Sequence, residues 1–160
     1  MLLLALFACD PASEQACDNA QAEGPSLTVG TGETAFESLN DGEELRWVFG
    51  SQGGFHVWGS LRASGIVQGA SDNLDDPDNP KVSFIVADGE TELAGFHDIP
   101  HHVAGGSPAS WEYLGDRLIF YETDEDYLYG LPVVMRATVA DACGTTLEAE
   151  ANVVLAGDPG

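Results

Sequence analysis

Short alternations of apolar and polar residues, broken by Gly, Asn, Asp and Pro, run through most of the chain. The last is the most regular: Leu147, Ala149, Ala151, Val153 and Leu155 alternate with Glu148, Glu150, Asn152 and Val154, so one strand face is apolar and the other mostly meets water. Just before it, Val133, Met135, Ala137 and Val139 alternate with Val134, Arg136, Thr138 and Ala140. Asp141-Ala142-Cys143-Gly144 joins the two, and Gly144 accepts the positive φ that a tight turn needs, so the pair predicts a β-hairpin. The runs 45–49 and 55–61 flank a glycine-rich link at 50–54 and predict a second hairpin, with Trp47 and Trp58 expected in the core. Further strands are expected at 26–29, 82–87, 93–97, 118–121 and 35–39. Seven to nine short strands at this spacing predict an all-β protein, an immunoglobulin-like two-sheet sandwich, with a small barrel as the alternative.

One segment does not fit this pattern. Met1 to Ala8 is an apolar run far below the roughly 20 residues a bilayer-spanning helix needs. It reads as a targeting segment and is set aside from fold reasoning. The run ends in Leu6-Phe7-Ala8-Cys9, which resembles the bacterial lipobox, in which the Cys is lipidated and becomes the mature N-terminus. Phe7 departs from that pattern, where a small residue is usual, and no Lys or Arg precedes the run. The resemblance implies a signal peptide over 1–8, lipidation of Cys9, and a protein held by its lipid in the bacterial cell envelope, at the periplasmic face or the cell surface. The polar stretch that follows has no apolar period, so 9–16 is expected to be a tether and 17–160 the folded domain. The closing hairpin resembles the last two strands of bacterial immunoglobulin-like modules, which serve adhesion, assembly and ligand binding alike.

With Cys9 committed to lipid, Cys17 and Cys143 remain, and in an oxidising compartment they are expected to form a disulfide closing a long loop. Charge then narrows the partners: 27 acidic residues against 5 basic ones give a net charge of −22. Such a field repels nucleic acid phosphates and anionic membrane surfaces, while cations and basic proteins are attracted.

Two clusters suggest metals. His97, His101 and His102 fall within six residues, with Asp98 or His56 able to complete a shell, and imidazole suits Zn²⁺ or Cu²⁺. Pro100 prevents their sharing a helix face. Asp72, Asp75, Asp76 and Asp78 concentrate carboxylates in one loop, as calcium requires, although the spacing is not that of an EF-hand. Residues 122–126 form a second acidic run expected to approach that loop. Trp111, Tyr113, Tyr121, Tyr127 and Tyr129 are candidates either for a binding surface or for packing. No catalytic signature stands out: Gly-Xaa-Ser-Xaa-Gly and His-Glu-Xaa-Xaa-His are absent, and the glycines at 50–54 lack the Lys of a phosphate cradle. The leading expectation is a non-enzymatic envelope lipoprotein that binds a protein or an extracellular ligand and uses no cofactor. The alternative is a metal-binding envelope protein, calcium-stabilised or a Zn/Cu carrier.

Overall fold

A computed structural model describes residues 11–50, 53–70, 72–101, 110–122 and 124–157. Cys9, the apolar run before it and His102 lie outside these residues. The described chain folds as a helix α1 (Pro11–Ala22), four strands β1 (Ser26–Thr31), β2 (Glu37–Ser38), β3 (Glu43–Arg46) and β4 (Val48–Phe49), then β5 (Phe55–Ser64), β6 (Lys81–Asp88), β7 (Thr91–Pro100), β8 (Trp111–Ile119), a one-turn helix α2 (Glu125–Leu128), β9 (Pro132–Ala140) and β10 (Thr146–Ala156).

The strands form two sheets. One runs β2-β1-β5-β4 with β8 on the other edge of β5; the second runs β3-β10-β9-β6-β7. Two sheets with crossing connections make a sandwich of the immunoglobulin type. Ten strands are present among the described residues rather than seven to nine, because the run 45–49 is not one strand. Leu45 pairs in parallel with Leu155 of β10, whereas Val48 and Phe49 pair with His56 and Phe55 of β5. The chain changes sheets at Trp47, whose indole is buried between them.

Period-2 alternation explains the core. Val133, Met135, Ala137 and Val139 of β9 and Val57, Leu61 and Ala63 of β5 are buried, facing each other across the sandwich with Phe84 of β6 between. Gly59 belongs to this inward set because a Cβ there would lie 2.7 Å from the Phe84 ring. The same alternation places Trp58 on the outer face, half-buried, so the expectation of a core position for it fails. Trp111 is buried in the core opposite Ala63, at the other end of β5 from Trp47, and its strand begins well before residue 118. The run 35–39 yields only the two residues of β2.

Residues read as the end of a tether belong to α1. Its sequence opens on Pro11, which is preorganised for a first helical position, and is rich in Ala. Over its residues 15–22 only Ala20 is buried, near Ile66 and Val67, so no apolar period was needed there. Cys17 holds the helix to the β9–β10 turn through its disulfide with Cys143, with Cα atoms 5.7 Å apart. Asp141 organises that turn: Oδ1 accepts from the backbone N–H of Cys143 and Thr145, and Oδ2 from that of Val67, at 2.8 to 3.1 Å.

Candidate functional site

Antiparallel pairing fixes which side chains share the outer face of β5. His56 stands opposite Val48 on one side and Ile119 on the other, and Trp58 stands opposite Arg117. The β1–β2 connection folds over this face: Ser60 Oγ, fully buried, donates to Gly32 O at 2.8 Å and accepts from Gly115 N–H at 3.1 Å. Glu33 on that connection then walls a cleft of about 430 Å³ with His56, Trp58, Arg117, Phe49 and Ile119.

The imidazole of His56 is 7% exposed and its Nε2 has no hydrogen-bond partner among the described residues. Its ring meets Trp58 edge to face, with centroids 4.9 Å apart. Burial chiefly, and the Arg117 charge next, push the His56 pKa down, against the opposing pull of Glu33. A neutral ring at pH 7 follows. Arg117 lays its guanidinium over Trp58, 5.2 Å from the ring centroid. Arg46, Arg62 and Arg136 each pair with a Glu, whereas Arg117 enters no such ion pair among the described residues. The described lining thus offers a carboxylate, an imidazole, an indole and a guanidinium beside the apolar side chains of Phe49 and Ile119.

The metal candidates are arranged otherwise. His97, on the exposed end of β7, meets Glu92 at 2.7 Å, and Glu92 also accepts from Tyr121 at 2.7 Å. His101 lies between Phe96 and Tyr113, with ring centroids 5.6 and 4.4 Å away. Tyr113 donates to Asp116, and burial followed by that bond raises its pKa. His56, on β5 of the first sheet, is not grouped with His97 and His101 of the second among the described residues. Among the described residues no group of three or more His, Cys, Asp or Glu is placed to hold a metal ion.

In the 72–80 loop the organiser is an amide. Asn79 is buried; its Nδ2 donates to the carbonyls of Asn73 and Leu74 at 2.8 and 3.0 Å, and its Oδ1 accepts from Ala70 N–H at 2.9 Å. Gly69, at φ +73°, lets Asn79 approach, since a Cβ would lie 2.2 Å from Oδ1. The carbonyls of Asn73 and Leu74 thus accept from Asn79, Asp76 caps the Asp78 N–H, and Asp72, Asp75 and Asp78 are exposed. Of the 122–126 segment, the described residues 122 and 124–126 do not approach them. The segment follows β8, whose end pairs with the start of β5, while 72–80 follows the end of β5. The ten residues of β5 separate the two by roughly 30 Å.

That far end carries a feature of its own. Of seven exposed large hydrophobic residues among those described, five gather there: Phe49, Ile119, Tyr121, Tyr127 and Tyr129. Phe49 packs on Phe55 at 5.5 Å, and Tyr129 on Trp47 at 6.1 Å, which joins the surface to the core. Trp111 and Tyr113 are not part of it.

Fold and surface together define an immunoglobulin-like sandwich with a polar cleft on one outer face and an aromatic end. No protein-family model matches the chain, and no curated protein is significantly similar to it in sequence.

Proposed function

We propose that this protein is an exported bacterial lipoprotein, acylated at Cys9, whose sandwich binds a partner protein in the cell envelope without catalysing a reaction. The observation that carries the reading is the polarity of the molecule. Cys17, shortly after Cys9, is tied to the β9–β10 turn, so a lipid on Cys9 would hold that end toward the membrane. The exposed aromatic residues stand at the opposite end. Charge complementarity selects the partner: Tyr127 lies within the acidic helix α2, beside Glu125 and Asp126, on a chain with a net charge of −22. A basic protein surface with apolar side chains fits it, Tyr rings and carboxylates both favouring Lys and Arg. The disulfide supports placement outside the reducing cytosol.

The test is metabolic labelling with an alkyne fatty acid in a bacterial host, followed by fractionation. Wild type should take up label and sediment with membranes, and Cys9→Ser should do neither. An unlabelled wild type would refute the anchor.

A further inference from the structure

We propose that the cleft over β5 and β8 is a binding site for a small organic carboxylate bearing an apolar ring, with the carboxylate on the Arg117 guanidinium and the ring against Phe49 and Ile119. This site lies on the outer face of a sheet, and the inference does not depend on lipidation or on a protein partner. The cleft's volume, about 430 Å³, is that of small-molecule sites rather than of a protein groove.

Three features select the ligand. First, Arg117 is held over Trp58 and in no ion pair among the described residues, although the chain carries 27 acidic residues. A planar guanidinium fork fits a carboxylate through two parallel hydrogen bonds. Second, Arg117 is the single cation of the described lining and pairs with one negative charge at a time, while the Glu33 carboxylate, also in the lining, repels a second, which disfavours phosphate. Third, Phe49 and Ile119 are 66% and 58% exposed along the same cleft, so a ring laid there removes apolar surface from water. His56, at the floor and without a partner at Nε2 among the described residues, is the group whose environment changes on filling. Its depressed pKa keeps it neutral, leaving Arg117 as the fixed positive charge.

The experiment is an NMR titration of the full chain with phenylacetate, benzylamine and inorganic phosphate, following the Arg117 Nε–H and the His56 ring signals. Phenylacetate should give saturable shifts at both groups, and the other two probes none over the same range. Arg117→Gln should weaken phenylacetate at least tenfold, and Phe49→Ala should weaken it less. Absence of saturable shifts with phenylacetate, equal binding of benzylamine or phosphate, or unchanged affinity in Arg117→Gln would overturn the proposal. Should Arg117→Gln disturb the fold, the three probes on wild type still decide it.

Discussion

Asn79 shows how one buried amide can organise an acidic loop. Its three hydrogen bonds close a loop of acidic residues whose own side chains contribute little. Asn79→Ala should therefore cost about 1–3 kcal/mol in urea denaturation, because it strands buried backbone groups. Asp75→Asn and Asp78→Asn, at exposed positions, should stay within about 0.5 kcal/mol of wild type. Little in the sequence marked Asn79, since an Asn among five Asp and Asn neighbours looks like any turn residue. His56 supplies a pH prediction. Its folded pKa is lowered, so as pH falls the unfolded chain takes up the proton first. The stability it contributes is full above the ordinary histidine value and is lost as pH drops from there toward the folded value. Urea midpoints at pH 7.5 and 5.5 should differ more for wild type than for His56→Gln; equal differences would show that this ring is not the titrating group. The cleft was half legible: alternation along 55–61 puts His56 and Trp58 on one face, but only the pairing with β8 brings Arg117 to them.

At the scale of elements, legibility followed period and punctuation. The β9–β10 hairpin was readable because its inward set is uniformly apolar and its turn carries Asp141 and Gly144, which has φ +80°. β8 was hidden by Gly115 and Asp116, which break the apolar pattern in the middle of the strand. The split at Trp47 was hidden because Leu45 and Phe49 look alike in sequence and differ only in which sheet claims them. The helix α1 was missed for a different reason: its attachment is covalent. The Cys17–Cys143 bridge spans 126 residues, and on the chain-entropy account its removal costs about 4–5 kcal/mol. Cys143→Ser should show that loss in urea denaturation. It should also collapse hydrogen-exchange protection in α1 well before that in β9, since the helix buries little else against the sandwich.

Across the whole molecule, the net charge of −22 destabilises the compact state through self-repulsion. Added NaCl should raise the Tm up to a few hundred millimolar, where screening of surface charge is nearly complete. The same charge bears on the partner, and the layout of the sandwich on where it is met. The disulfide-tied end holds the 72–80 loop with the exposed Leu74, and the opposite end holds the five exposed aromatic and aliphatic residues around α2. The most direct test of this polarity is photo-crosslinking in intact cells, with a benzophenone amino acid placed at Tyr129 or, as the control, at Leu74. A discrete protein adduct from position 129, lost on raising salt and absent from position 74, is the predicted result. An adduct from position 74 with none from 129 would contradict the account.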